Sequence, residues 1–532
     1  MPLKITCLGG VGQVTGSCYL IEKSGKKYLV DCGLFQGGKK VEMLNTEPWP
    51  FSPPEIEALF LTHAHIDHSG RIPKLVKDGF RGRIYASHPT VALCRILFLD
   101  AAHIQEMQAE WKSRKNARKG LPPVEPLYTQ KDAEEAFNLL VPIDRDEEIR
   151  ISENITVTFR NAGHILGSSF LELKTKSAQH TDGEMVILFS GDIGRPGQLI
   201  VKDPATPHKA DVLFIESTYG NRDHKSLEES RQELIDAIRY SYQHGEKVLI
   251  PAFAVERTQE VLYLLGEFFR NGEIPDMPVY LDSPLAIEAT KIFREMKSSY
   301  DEKTMEIVKA GHDPFDFPQL RLTPAVDDSR AINMSSGPAV VIAGNGMCTA
   351  GRILHHIKHN IWRPGCSIVF VGYQAEGSIG RRIIEGARNI RVLGEEVAVR
   401  ARVFTIGGLS SHAGQSDLLE WVSAFYKPQM RVFVVHGEKT SSTAFAELLR
   451  SKLGLNPVVP QRGDVFILEP ETLGEAASLT CETYMHQLSR RFLDIQFDLF
   501  KRIPSMTDDE KILLKTKLEK LEKTLEELAA AV

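Results

Sequence analysis

Four residues crowded into six positions, His63, His65, Asp67 and His68, carry the strongest chemical signal in this chain. They form a His-x-His-x-Asp-His run directly after Ala58-Leu59-Phe60-Leu61, an apolar stretch that reads as a buried strand. Three imidazoles and a carboxylate at the rim of a sheet, with no cysteine among them, are hard and borderline donors. Such a set suits zinc or a similar divalent ion and leaves room for water on the metal. The expected chemistry is metal-dependent hydrolysis.

Further along, single His and Asp residues stand at strand ends beside glycine. His164 lies in Ala162-Gly163-His164-Ile165-Leu166-Gly167, Asp192 follows Ser190-Gly191, and His436 precedes Gly437. One such residue is commonly a satisfied polar group in a loop. Three of them, each at a strand-to-loop junction, join the four residues of the HxHxDH run to supply the roughly seven or eight contacts that two metals need if one carboxylate bridges.

The elements that must position these residues fall into regions. Residues 1 to 215 read as short strands with interspersed helices, beginning with Ile5-Thr6-Cys7-Leu8, Ser17-Cys18-Tyr19-Leu20-Ile21 and Lys27-Tyr28-Leu29-Val30. Gly9, Gly10, Gly12 and Gly16 invite a dinucleotide-loop reading. Thr15 stands where the third glycine should, and a strand follows instead of a helix, so a tight hairpin is expected. From 222 to 405 helices and strands alternate: 226–244 is amphipathic, 247–250 is a strand, and 255–270 is helical. That alternation predicts an α/β unit with a parallel sheet. Strands of the first kind return at Val403-Phe404-Thr405-Ile406 and Arg431-Val432-Phe433-Val434-Val435, which predicts a second domain inserted into the first. The expected boundaries are 1–220 and 405–470 for the split domain, 221–404 for the insert, and 471–532 for a helical appendage. In the appendage Leu514, Leu518, Leu521, Leu525 and Leu528 recur at spacings of four and three, a seam suited to packing on the body or on a second copy in a homodimer.

Bulk properties set outer limits. With 532 residues the chain can form two or three domains. A formal net charge of -6 excludes a whole-surface basic footprint, so any nucleic-acid contact must be local. Seven scattered cysteines without a CxxC fit buried thiols in a reducing compartment. No apolar run approaches membrane-spanning length, no charged-then-apolar leader is evident, and the cytoplasm is the expected location.

The HxHxDH run and the strand-end residues resemble the motifs of the metallo-β-lactamase superfamily over most of the chain. The resemblance implies an αββα sandwich, one Zn2+ on His63, His65 and His164, a second on Asp67, His68 and His436, and Asp192 as the bridge. Manganese or iron would suit the same ligands. Asp31, in Leu29-Val30-Asp31-Cys32-Gly33, matches the family's early aspartate, which orients the cluster without binding metal. Phe214-Ile215-Glu216-Ser217-Thr218-Tyr219-Gly220, Leu409-Ser410-Ser411-His412-Ala413 and Val435-His436-Gly437-Glu438 resemble motifs A, B and C of the β-CASP group, RNA- and DNA-processing nucleases with an inserted domain. Pro251-Ala252-Phe253-Ala254-Val255-Glu256-Arg257 and Gly372-Tyr373-Gln374-Ala375-Glu376-Gly377-Ser378 are similar to segments of that insert. The likeness is greatest to the endonuclease subunit of the eukaryotic cleavage and polyadenylation specificity factor and its prokaryotic relatives. A histidine at motif C, here His436, goes with RNA substrates in this group and a valine with DNA, and the expected partner is single-stranded RNA. Asn345 departs from the serine common at its position.

What the resemblance implies is a zinc-dependent ribonuclease, endonucleolytic and with possible 5'-to-3' exonuclease action, that hydrolyses phosphodiesters through a hydroxide bridging two metals. His412 would be the general acid, since imidazole titrates near working pH, and Glu216 would orient it. Ser410, Ser411, Arg257 and Ser378 are candidate phosphate contacts; Arg257 could equally pair with Glu256 or Glu260. The basic run from Lys112 to Lys119 reads first as a solvated face. His355, His356 and His359 lack an accompanying carboxylate and read as packing or surface residues. Alternatives are a lactonase- or thioesterase-like hydrolase on the same scaffold, a catalytically dead scaffold subunit, and a DNA nuclease.

Overall fold

The computed structural model describes residues 3–177, 183–372, 374, 377–469, 514, 515 and 517. Most of the expected appendage (471–532), with its leucine seam, and Tyr373, Ala375 and Glu376 lie outside the described residues. The first half supplies β1 (Leu3–Gly9), β2 (Cys18–Lys23), β3 (Lys26–Val30), β4 (Ile56–Phe60), β5 (Arg83–Ser87) and β6 (Leu140–Ile143). It continues with β7 (Glu148–Ser152), β8 (Ile155–Asn161), β9 (Ser169–Lys176), β10 (Glu184–Phe189) and β11 (Val212–Ile215). The middle supplies β12 (Lys247–Pro251), β13 (Val279–Leu281), β14 (Leu320–Leu322), β15 (Ala339–Ala343), β16 (Ser367–Phe370), a β17–β18 ribbon (Asn389–Val392, Glu395–Ala398) and β19 (Arg402–Thr405). The chain then adds β20 (Arg431–Val434).

The first sheet runs β1-β2-β3-β4-β5-β6, antiparallel through β3 and parallel from there to β6. The second runs β20-β11-β10-β9-β8-β7, and β20, β11 and β10 are parallel. Aromatic rings join the two: Tyr19 of the first sheet lies 5.5 Å and 5.7 Å from the rings of Phe189 and Phe214, which stack on each other, and Phe214 stacks in turn on Phe433. Helices cover the outer faces, so the expected sandwich is observed. Residues 10–17 join antiparallel β1 and β2, so a hairpin forms, but through an eight-residue loop instead of the tight turn expected.

The third sheet, β14-β13-β15-β12-β16-β19, is parallel throughout, as the α/β alternation predicted. Two local readings change. β19 pairs with β16 and therefore closes the inserted sheet instead of returning to the first domain; an apolar run shows burial but not which sheet it joins. The helix expected over 255–270 begins at Arg257, because Glu256 holds a left-handed φ of 66° that cannot continue a helix.

Candidate metal centre and its neighbouring histidine

Each residue of the centre leaves the end of a strand. His63 and His65 follow β4, Asp67 and His68 lie on the one-turn helix Ile66–Ser69, His164 lies between β8 and β9, Asp192 follows β10, and His436 follows β20. Parallel neighbours β10, β11 and β20 deliver Asp192, Glu216 and His436 to the same edge. Asp31 follows β3 and holds a left-handed φ of 57° that turns its carboxylate under the cluster. There it accepts from the Thr62 N–H (2.9 Å) and hydroxyl (3.0 Å), from Ser17 (3.2 Å) and from His68 Nδ1 (2.7 Å). With Nδ1 engaged, His68 presents Nε2 to the centre, the orienting arrangement of a metal-binding imidazole. The Cys32 N–H donates to the His68 carbonyl at 2.8 Å. A side chain at Gly33 would sit 1.5 Å from the Asp67 carbonyl oxygen, so only glycine lets these backbones approach.

Among the described residues three groups of donor atoms converge: His63, His65, His164 and Asp192; Asp67, His68 and His436; and Asp192 again with Glu216 and His412. In the first, His65 Nδ1 lies 3.1 Å from His63 Nε2 and 3.2 Å from His164 Nε2. Asp192 Oδ2 is 3.5 Å and 3.6 Å from the His63 and His164 nitrogens. Its other oxygen, Oδ1, is 3.3 Å from His68 Nε2 and 3.4 Å from His436 Nε2, and His436 Nε2 is 3.9 Å from Asp67 Oδ2. Tetrahedral zinc with bonds of about 2.0–2.1 Å places its ligands about 3.3–3.4 Å apart. The spacings from 3.1 to 3.6 Å bracket that edge, and His436 to Asp67, at 3.9 Å, is wider.

Protonation and satisfaction point the same way. Burial pushes His63, His164 and His436 below the usual imidazole range and His65 to about 3, leaving neutral rings with lone pairs. Burial opposes charge on Asp192 too, yet the imidazoles of His436, His68 and His63 hold it ionised, well below the carboxylate range. His68 differs: burial disfavours its proton, but Asp192 and Asp31 favour it and raise it well above the usual value. A bound cation would answer that same demand for positive charge. His68 Nε2 and Asp192 Oδ1 are buried and make no hydrogen bond, and such orphaned atoms are costly unless a ligand meets them. The residues fit a divalent metal.

His412 stands beside this centre. Its Nδ1 is 3.3 Å from Glu216 Oε1 and 4.0 Å from Asp192 Oδ2, and its ring is 4.4 Å from that of His164. Burial works against its proton, but Glu216 and then Asp192 attract it, and its pKa rises to about 9. Glu216 is fully buried and is fixed by the Ile193 N–H at 2.7 Å. The segment carrying His412 is stitched to the Asp192 loop: Arg195 N donates to the Ser411 carbonyl (3.1 Å) and Ala413 N to that of Ile193 (2.8 Å).

Three family descriptions match the chain: the metallo-beta-lactamase superfamily over 11–146, the Beta-Casp domain over 258–383, and the Zn-dependent metallo-hydrolase RNA specificity domain over 396–460. Ribonuclease TTHA0252 of Thermus thermophilus is 38% identical over 447 residues, spanning 84% of this chain and 96% of that protein. Transcription termination factor FttA of Thermococcus kodakarensis is 33% identical over 88% of this chain and 72% of its own. FttA of Methanocaldococcus jannaschii is 30% identical, with 87% and 71% covered. The chain belongs to the β-CASP group of the metallo-β-lactamase superfamily.

The β-CASP assignment frames the remaining residues. Ser411 accepts at its hydroxyl from Arg257 Nη2 (3.1 Å), and Ser410 lies partly buried beside it. Arg257 is buried and paired with Glu260, so its guanidinium is partly committed to a carboxylate. Ser378 caps the helix Ile379–Ile384, accepting from Arg381 N at 3.1 Å, which gives it a structural use. His356 is buried against Asp282, in line with its packing role. Asn345 accepts at its side chain from Met347 N at 3.0 Å, holding its own loop. No helix among the described residues is long and apolar enough to cross a membrane.

Several positioning residues escaped the sequence reading. Thr62 ties Asp31 to His63, Ser17 supports Asp31, and Arg195 joins the Asp192 loop to the Gly408 carbonyl at 2.7 Å. Glu256 accepts from the Leu166 N–H at 2.8 Å and so links the insert to the His164 loop. Serine and threonine give no spacing signal; Glu256 stood inside a recognised segment but was read only as a partner for Arg257, and Arg195, three residues after Asp192, could have been flagged by that adjacency.

Proposed function

We propose that the protein is a metal-dependent ribonuclease cutting single-stranded RNA in RNA processing or decay. The observation that supports this most is Asp192, whose two oxygens face two separate imidazole groups while His412 waits alongside. One Zn2+ would be held by His63, His65 and His164 and another by Asp67, His68 and His436, with Asp192 shared. Bound there, such ions supply Lewis acidity to phosphoryl oxygens and an activated water for attack on phosphorus.

The chain supplies the rest. Asp31 fixes the tautomer and angle of His68. Glu216 accepts from His412 Nδ1, leaving Nε2 to give its proton to the departing ribose oxygen. A 3'-hydroxyl and a 5'-phosphate result. Ser410 and Ser411 belong beside the phosphate, and Arg257 positions Ser411. The insert, taken as 221–404 between the halves 1–220 and 405–470, contributes Arg257. Self-association through 471–532 and a cytoplasmic location complete the proposal; truncation of that tail should lower the mass in solution.

The test is incubation with labelled single-stranded RNA, matched DNA and a lactone, with and without chelator, for wild type and His412→Ala. Chelator-sensitive cleavage confined to RNA and lost in the variant supports the reading. Turnover of the lactone alone overturns it. Cutting of circular RNA would establish endonuclease action, and loss of cleavage on blocking the 5' end of linear RNA would reveal exonuclease action.

A further inference from the structure

The helix His88–Ala117 does more than cover the first sheet. Its first residues abut the catalytic region, since Ser87 donates to the Gly167 carbonyl at 2.6 Å in the His164 loop. Its middle, at Ile96, Leu99 and Asp100, faces Pro284 and Leu285 of the insert. Beyond that point its last turns carry an unusual surface.

Residues 107–121 contain five cations and one carboxylate in a chain whose net charge is -6. The inward stripe is settled: Ala109 is buried, Ser113 exchanges hydrogen bonds with Val124 (2.8 and 3.2 Å), and Asn116 Nδ2 donates to the Pro122 carbonyl at 2.9 Å. The segment after the helix is thereby folded back and ordered. The outward stripe, at helical spacings of four and three, is Met107, Trp111, Arg114, Lys115 and Arg118, with Arg114 paired to the exposed Glu110 one turn earlier. Trp111 is 63% exposed and Met107 53%, and Lys115 Nζ lies 5.3 Å from the Trp111 ring. A purely solvated face has no use for an exposed indole. Cations flanking an exposed aromatic plane are the composition that grips single-stranded nucleic acid, by phosphate neutralisation and base stacking.

We propose that this helix tip is a remote RNA-binding platform, with Trp111 stacking on a base and Arg114, Lys115 and Arg118 on the flanking phosphates. It rests on the ribonuclease reading and extends it to substrate length. From His88 to Trp111 the helix rises roughly 35 Å at about 1.5 Å per residue. Stacked single-stranded RNA at about 3.4 Å per nucleotide needs roughly ten nucleotides to span that distance. The tip therefore makes the protein favour long RNA over short.

The experiment compares wild type, Trp111→Ala and the triple variant Arg114→Gln/Lys115→Gln/Arg118→Gln, all surface changes whose folding is checked by circular dichroism. Binding of a 30-nucleotide RNA is measured with chelator present across a salt series, and cleavage of 30- and 5-nucleotide RNAs with metal. The triple variant should bind the 30-mer about tenfold more weakly, with a salt slope about 2 smaller, at about 0.7 per lost phosphate contact. Trp111→Ala should lose about five- to hundredfold with little change in slope. Cleavage of the 5-mer should be unchanged in both. Equal 30-mer affinity and equal slope in all three proteins overturn the proposal, and so do losses that are identical for the 5-mer. A wild type that binds the 30-mer through the tip but cleaves no RNA instead overturns the ribonuclease reading and leaves the platform standing.

Discussion

Among the described residues, the insert and the sandwich each hold a buried Asp–His group, and the one in the sandwich is poised to bind something. In the insert, Asp282 Oδ1 accepts from Arg352 (2.7 Å) and Thr323 (3.0 Å), and Oδ2 from Ser329 (2.6 Å) and His356 Nε2 (2.7 Å). His356 Nδ1 meets Asn333 at 3.0 Å, so each polar atom of the pair has a partner. In the sandwich, Asp192 Oδ1, His68 Nε2 and His436 Nδ1 make no hydrogen bond, and imidazoles crowd one another at hydrogen-bond distance. The residue types are alike. What separates a structural hub from a ligand cradle is whether the protein itself completes the bonding, a general consequence of the cost of unmet buried polar atoms.

The contrast can be broken by experiment. Asp192→Asn should have the largest effect, removing bound metal by elemental analysis and taking cleavage below detection; retained metal would mean Asp192 is not shared. His412→Ala should lower kcat by about 10²–10⁴-fold with metal content unchanged, the range of a lost general acid. Asp282→Asn, the mirror experiment, should cost about 3–5 kcal/mol in chemical denaturation, as expected for breaking a buried pair, while the folded fraction keeps its metal. Metal loss there would erase the distinction. Asp31→Ala should weaken metal affinity about 10–100-fold by titration, since it acts through the groups it orients, His68 first among them. Glu216→Gln removes the carboxylate that favours the His412 proton. The imidazolium then survives over a narrower range, and the alkaline limb of kcat should move to lower pH; an unmoved limb would detach Glu216 from the acid.

Much of this was written in local sequence. The HxHxDH run is compact, and strand-end His and Asp residues beside glycine stand out against apolar strands. The pairing of Asp31 with His68 crosses 37 residues and that of Glu216 with His412 crosses 196, so both rested on motif likeness until the sheets brought them together. The uses of Thr62, Ser17 and Arg195 were illegible, because a hydroxyl or guanidinium advertises no partner. The sheet to which β19 belongs is likewise a tertiary choice, decided by pairing to β16 rather than by hydrophobicity.

The order in which the donors occur along the polypeptide has its own result. Because His436 follows β20, which docks in parallel on β11 more than two hundred positions upstream, a nascent chain emerging from the ribosome possesses His63 to Asp192 long before the final imidazole is translated. The set of donors is therefore closed only after the whole inserted sheet has been made.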